Sequence, residues 1–291
     1  MSTLLQEREA LTLTFENARV DAASATDVGK VRQTNEDQYL IAGLRRVVEI
    51  EETSIPIEAR LGFTRGASAL LLLVADGVGG GKGGEEASRW TIDTIARYVA
   101  GSSLLFSDMD KEAQRALLQD LTLAVQWSHA AVRNQAAGRT SLEGMATTLT
   151  MVLVLWPRAY VVQIGDSRCY HFRPPTLTQV TRDQTMAQEM VDRGVLPPEA
   201  AERSPLSHVL SQAVGSKESD IWPAISSLDL KVGDTLLLCT DGLTKHATDA
   251  QIADLMVKAD SAREVCRSLI DTALKDGGSD NVTVVVTRFL G

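Results

Sequence analysis

Four short apolar runs in this chain are each bounded by an aspartate. Asp76 follows ALLLLVA, Asp166 follows YVVQIG, Asp241 follows TLLLCT, and Asp280 stands just before NVTVVV. Runs of this length, rich in leucine and β-branched residues and closed by polar or glycine-rich stretches, read as buried strands. Strand ends meet at a common rim, so carboxylates placed there can converge although they are far apart in sequence. Clustered carboxylates raise one another's pKa and stay ionised only beside a cation. Oxygen-only ligands favour hard Mg²⁺ or Mn²⁺ over zinc. Asp before Gly also makes tight turns, and Asp76-Gly77 or Asp241-Gly242 taken singly reads first as a turn. The four aspartates together, joined by Asn35-Glu36-Asp37, favour a site.

The segments between these runs have a regular order. Residues 1–18 are polar and mixed and read as a loose arm; residues 19–291 read as one domain. Short β-type runs begin with DAASAT, DQYLIAGL and RRVVEI, and residues 51–68 suggest a loop or hairpin. Apolar residues at helical spacing predict one helix over Gly84–Ala100 and a second over Lys111–Ala137. Strands return as MATTLTMVLVLW, AYVVQIGD, RCYHFR and LTQVT, with Pro157-Arg158 as a tight turn. Residues 183–220 are polar and partly helical and read as an insertion at a sheet edge. Strands around Trp222–Leu228 and Asp234–Cys239, helices over Asp249–Lys258 and Ala262–Asp276, and a last strand NVTVVVTRF complete the chain. This order predicts an α+β fold of antiparallel sheets flanked by helices.

Composition narrows the function. With 29 Lys and Arg against 38 Asp and Glu, the net charge is −9, which argues against a nucleic-acid or anionic-membrane binder. Cys169, Cys239 and Cys266 are widely spaced with no C-x-x-C pair, so neither a zinc site nor a disulfide framework is indicated. A reducing compartment is the simplest inference. The first residues lack a basic start followed by an apolar stretch, and no apolar run approaches the ~20 residues that span a bilayer. The chain is expected to be soluble, cytoplasmic and monomeric.

The segment GKVRQTNEDQYL places Arg32 four residues before Glu36. A guanidinium suits a phosphate dianion because its fork can bond two oxygens at once. An ordinary surface ion pair, worth little, is the other reading. Seven blocks then occur in one order: VGKVRQTNED at 28–37, LLVADGVGG at 72–80, MATTLTMVLV at 145–154, IGDSRCY at 164–170, LSQAVG at 210–215, LLLCTDGLT at 236–244 and SDNVTVVV at 279–286. On these blocks the chain resembles the metal-dependent protein phosphatase family (PPM, or protein phosphatase type 2C), particularly its compact bacterial members.

The resemblance implies a four-layer αββα sandwich, two packed antiparallel sheets with helices outside, and a pair of Mg²⁺ or Mn²⁺ ions at one end. It implies that Asp76 bridges the ions, with the Gly77 carbonyl as a backbone ligand. Asp241 and Asp280 would ligate one ion, Glu36 the second directly or through water, and Asp37 would help orient the attacking water. Arg32 would bind the substrate phosphate, and Asp166 would hold a third, weaker ion. The implied activity is hydrolysis of phosphoserine and phosphothreonine in proteins, opposing a Ser/Thr kinase. Residues 183–220 match the flap beside the site in bacterial members. Val78 stands where eukaryotic members usually carry a histidine, and Ala146 where a glycine is usual. Two other functions stay open: a non-catalytic module of the same fold that binds phosphorylated partners, and a phosphatase of small phosphate esters.

Overall fold

Leu70, Leu71, Leu72 and Leu73 are each at most 1% exposed, which a strand achieves only when both of its faces are covered. They lie in β4 (Ala69–Ala75), and the two-residue period of a strand sends them alternately to opposite faces. Leu70 and Leu72, with Val74, pack against Val20, Leu236, Leu238 and Val285 of a second sheet. Leu71 and Leu73 pack against helices, meeting Ile95, Leu117, Leu121 and Val125. Each fully buried leucine contributes roughly 2 kcal/mol, so this one strand ties two of the layers' interfaces together.

The computed structural model describes residues 11–15, 17–45, 69–79, 82–102, 110–201 and 204–291. Its five-stranded sheet runs β11 (Ala224–Asp229), β8 (Arg158–Ile164), β7 (Leu149–Leu155), β4 and β3 (Gln38–Leu44). Its six-stranded sheet runs β1 (Leu11–Phe15), β2 (Ala18–Asp27), β13 (Val282–Leu290), β12 (Thr235–Cys239), β9 (Arg168–Arg173) and β10 (Thr176–Gln179). Every neighbouring pair in both sheets is antiparallel. Helices α1 (Lys82–Gly101) and α2 (Lys111–Ala136) cover the outer face of the first sheet. Helices α6 (Asp249–Lys258) and α7 (Ala262–Lys275) cover the outer face of the second, through Ile252, Met256, Val265 and Leu269. The fold is therefore α+β, an αββα sandwich. Among the described residues, no helix is long and apolar enough to cross a membrane.

Three expectations are modified. The arm expected over residues 1–18 becomes a strand in its later part: Leu11–Phe15 pairs with β2, and Phe15 stacks on Trp156. The alternating sequence LTLTF is the reason, since it offers one face to a sheet. Residues 1–10 lie outside the described residues, as do the expected strand RRVVEI beyond Arg45 and the loop or hairpin at 51–68. The run MATTLTMVLVLW is not one strand but two, β6 (Ala146–Thr147) and β7. It breaks at Thr148, whose N–H turns to the carbonyl of Asp76. Residues 183–220 carry α3 (Met186–Asp192), α4 (Pro198–Ala201) and a 3-10 turn at Pro205–His208, outside both sheets.

Candidate active site

The strand register brings the acidic residues to one rim. In the six-stranded sheet, Val282 is opposite Asp27, Cys239 opposite Val284, and Arg168 opposite Cys239. The end of β2, the start of β13, the end of β12 and the start of β9 therefore share an edge. In the other sheet Gln38 is opposite Ala75, and Leu149 opposite Ile164. Asp37, Asp76 and Asp166 project from the loops beside that edge, and Asp241 and Asp280 from the first. The connection from β8 to β9 is only Gly165, Asp166 and Ser167, which holds the two rims together.

Each loop is fixed by hydrogen bonds before its carboxylate is considered. The N–H of Asp76 donates to Thr148 Oγ1 at 2.9 Å. Its carbonyl accepts from the Thr148 N–H at 2.9 Å and from Thr147 Oγ1 at 2.7 Å. The Thr148 hydroxyl also meets the Ser167 hydroxyl at 2.7 Å, joining the Asp76 loop to the Asp166 loop. Ser167 is fully buried, so it serves as a tie between loops. The side-chain oxygen of Asn281 accepts the Glu36 N–H at 2.9 Å, and its amide donates to the carbonyls of Val28 and Thr34. Thr240 Oγ1 donates to Asp37 Oδ2 at 2.8 Å.

Gly77 and Gly84 allow a close approach on the Glu36 side. A Cβ on Gly84 would stand 1.9 Å from Glu36 Oε2, and one on Gly77 would stand 2.4 Å from the Gly84 carbonyl oxygen. The start of α1, β5 (Gly77–Val78) and the Glu36 carboxylate are thus stacked with no room for a side chain.

Two cationic side chains face the carboxylates. The Arg32 guanidinium closes on Asp280 with both arms, Nε to Oδ1 at 2.8 Å and Nη2 to Oδ2 at 3.1 Å. The Lys245 ammonium lies 2.6 Å from Asp241 Oδ2 and 2.9 Å from Asp280 Oδ2. Although partial burial pulls upward, the hydrogen bonds and charges of Lys245 and Arg32 hold Asp280 below the usual carboxylate range. Deeper in, the balance reverses. Burial, and after it the charges of Asp37, Asp241, Asp166 and Asp280, push Asp76 well above that range. Burial, and the charges of Asp241 and Asp280, push Asp37 up to about 7, against the pull of Thr283 and Thr240. Asp166 is pushed up to about 7 by burial and by Asp241 and Asp183.

These observations fit hard divalent cations. Asp37 Oδ1 and Asp241 Oδ1 are buried and accept no hydrogen bond among the described residues, and an unpaired buried carboxylate oxygen is costly unless a cation meets it. All candidate donors are oxygens. Among the described residues, no three acidic, His or Cys side chains form a closed ligand set.

The structure brings Arg32, Glu36, Asp37, Asp76, Gly77, Asp166, Asp241 and Asp280 to this one rim. Asn281, Thr148, Thr240 and Lys245 join them without a role expected from the sequence. Lys245 had a signal, the i, i+4 spacing from Asp241 on a helix. Asn281 had a weaker one, a polar residue at the mouth of a buried strand. Thr148 bonds the end of a neighbouring strand and Thr240 a residue beside the other sheet, and neither carried one.

Comparison with known proteins agrees with the geometry. The family model for protein phosphatase 2C matches residues 52–282. The serine/threonine protein phosphatase PstP of Mycobacterium tuberculosis is 38% identical over 220 residues, which is 76% of this chain and 40% of PstP. The chain therefore spans less than half the length of that relative. Protein phosphatase PhpP of Streptococcus pneumoniae is 28% identical over 261 residues, 90% of this chain and 94% of PhpP. The solved catalytic domain of PstP in complex with two manganese ions superposes with a TM-score of 0.72 at 33% identity, covering 94% of this chain and 99% of that one.

Proposed function

This chain belongs to the protein phosphatase 2C family, and from that premise we propose that it hydrolyses phosphoserine and phosphothreonine in proteins. The observation that carries the reading is the convergence on one rim of six carboxylates and Arg32, with a buried oxygen of Asp241 free to meet a cation and one of Asp37 free to meet its water. The manganese pair described for the PstP catalytic domain supports the same ligand chemistry here.

Asp76, Asp241, Asp280 and Glu36 would hold two Mn²⁺ or Mg²⁺ ions, with the Gly77 carbonyl as a further ligand, and Asp166 a third. Such ions supply Lewis acidity that activates a water at neutral pH and offsets charge on the phosphoryl group. Asp37, with one oxygen fixed by Thr240, keeps the other for orienting that water. Arg32 presents a planar fork at the exposed edge and neutralises two phosphoryl oxygens at once. Its half-exposed side chain can leave Asp280 for substrate at little cost, because pairs open to water are weak.

The substrates in this reading are phosphoproteins made by a Ser/Thr kinase, and the chain acts as a cytoplasmic monomer. The three free, buried cysteines support a reducing compartment. The test is phosphate release from a phosphothreonine peptide with Mn²⁺ and with excess chelator. Release should require Mn²⁺ and fall at least about 10²-fold in Asp241→Ala. An unchanged rate in that variant would remove the proposal. A panel of small phosphate esters, run beside the peptide, separates the protein substrate from a metabolite.

A further inference from the structure

One cationic side chain on the rim, Lys245, has no role in the phosphatase reading given above. Lys245 is one helical turn beyond Asp241, and its Nζ bridges Oδ2 of Asp241 at 2.6 Å and Oδ2 of Asp280 at 2.9 Å. The two carboxylates come from different elements, the short helix α5 (Asp241–Thr244) and the loop before β13. We propose that Lys245 is an internal competitor for the divalent cation that Asp241 and Asp280 would hold, so that binding there exchanges an ammonium for a metal ion. The inference rests on the phosphatase reading only for the assignment of those two residues as ligands.

The geometry supports an exchange in three ways. An ammonium at these distances uses the same oxygen lone pairs that an ion shared by the two residues needs. The other oxygen, Asp241 Oδ1, is buried and accepts no hydrogen bond among the described residues, so a cation has a first donor available while Lys245 still holds Oδ2. The Lys245 side chain is 25% exposed and ends a flexible four-carbon stem, so it can swing to solvent without unfolding anything. Arg32 differs: its fork holds Asp280 from the outside and does not touch Asp241 in this way.

Lys245 thus acts in two opposed directions. It keeps two repelling carboxylates together without an ion, and it must be displaced when an ion binds. The chain should bind its cation more weakly than the same ligand set would without the lysine, and respond to ion concentration over a higher range.

The test compares wild type with Lys245→Met, which keeps the stem and removes the charge, and with Lys245→Arg. Mn²⁺ affinity is measured by isothermal titration calorimetry at one pH and ionic strength. Thermal midpoints are taken in excess EDTA and in saturating Mn²⁺. Lys245→Met should bind Mn²⁺ at least about tenfold tighter, the lower end of what a charge-assisted bond is worth. Its midpoint should fall in EDTA, and its gain on adding Mn²⁺ should widen. Lys245→Arg should stay near wild type. Equal or weaker Mn²⁺ affinity in Lys245→Met overturns the proposal, as does the absence of Mn²⁺ binding by either protein. If Lys245→Met does not fold in EDTA, Lys245→Gln is purified with Mn²⁺ and titrated with a chelator of known affinity, and the same tenfold criterion applies. Hydrolysis is scored separately. A tightened site in a chain that hydrolyses no phosphopeptide keeps this inference and removes the activity; Mn²⁺-dependent hydrolysis with unchanged affinity does the reverse.

Discussion

The side-chain oxygen of Asn281 accepts the backbone N–H of Glu36 at 2.9 Å across 245 residues of sequence. The same amide group donates to the carbonyls of Val28 and Thr34, so one side chain closes the loop that carries Arg32 and Glu36 onto the mouth of β13. Asn281→Ala leaves a buried N–H and two carbonyls to find other partners. It should cost about 3 kcal/mol of stability, since each orphaned buried group costs about 1–3 kcal/mol. Phosphopeptide hydrolysis should fall further than stability explains, because Glu36 loses its anchor. Urea unfolding and rate measured on one preparation check this; a full rate in Asn281→Ala would show the anchor to be dispensable.

Gly84 is where the packing of the fold and the position of Glu36 meet. It lies in the first turn of α1, where alanine is favoured over glycine by up to about 1 kcal/mol. A Cβ there would stand 1.9 Å from Glu36 Oε2, so the carboxylate must move. Gly84→Ala should lower Mn²⁺-dependent hydrolysis at least about tenfold and lower the thermal midpoint as well, because the same Cβ would stand 2.9 Å from the Gly77 backbone carbonyl carbon. Circular dichroism melting beside a phosphate-release assay measures both quantities.

Much of this architecture was legible because strand periodicity and helix periodicity are local. The double-sided burial of Leu70–Leu73 follows from an unbroken apolar run, and α2, α6 and α7 follow their apolar spacing almost to the residue. The acidic set was legible because Asp76, Asp166 and Asp241 each close an apolar run and Asp280 opens one. What could not be read was anything set by contact between segments far apart in sequence. Thr148 breaks a strand to bond Asp76, and nothing in TTLT announces it. The strand over Leu11–Phe15 has a stacking partner far along the chain, Trp156, which itself stacks on Phe289. The Lys245 bridge has a local half, to Asp241, and a distant half, to Asp280, and only the first had a spacing to betray it.

His129 predicts an acid limit to stability. Its Nδ1 accepts the Gly215 N–H at 3.1 Å, and its Nε2 is 3.1 Å from the Glu218 carbonyl, an arrangement that requires the neutral ring. Burial pulls its pKa below the ordinary value, with Arg133 adding to the effect. The unfolded chain, with His near 6.5, therefore binds more protons than the folded one between that value and the lowered folded value. Stability from this site is complete above pH ~6.5 and is lost as pH falls through that window. His129→Gln should flatten the pH dependence of the denaturation midpoint below about pH 6.5. An unaltered slope would place the acid sensitivity elsewhere.

The three cysteines should be silent in the native protein. Cys169, Cys239 and Cys266 are unpaired and at most 1% exposed. Burial pushes the Cys239 and Cys266 thiols up to about 12 and Cys169 higher still, leaving almost no thiolate to react. A disulfide-exchange reagent at pH 8 should titrate no thiol in the native state and three in guanidinium chloride, and rapid native reaction of any one would contradict the burial described.

Gln184 is where the segment outside the sheets is fastened to the site. Its side-chain oxygen accepts the Gly165 N–H at 2.8 Å, and its own N–H donates to the Gly165 carbonyl at 3.0 Å. Its carbonyl takes the Ser211 N–H at 2.9 Å, so one residue joins both ends of the segment to the residue before Asp166. Gln163 supports the same loop, donating to the carbonyls of Gly165 and Ser167. Gln184→Ala removes only the side-chain bond, and the backbone bonds keep the segment in place. The expected cost is about 1–2 kcal/mol, the price of one buried N–H left without its partner. Amide exchange should quicken at residues 163–167 and 209–211 and stay unchanged in β4 and β13, where exchange requires global opening. Hydrolysis of a phosphothreonine peptide should slow several-fold, because Asp166 shares the loosened loop. Exchange that rises equally in β4 would mean that the variant destabilises the whole fold and that Gln184 has no special tie to the Asp166 loop.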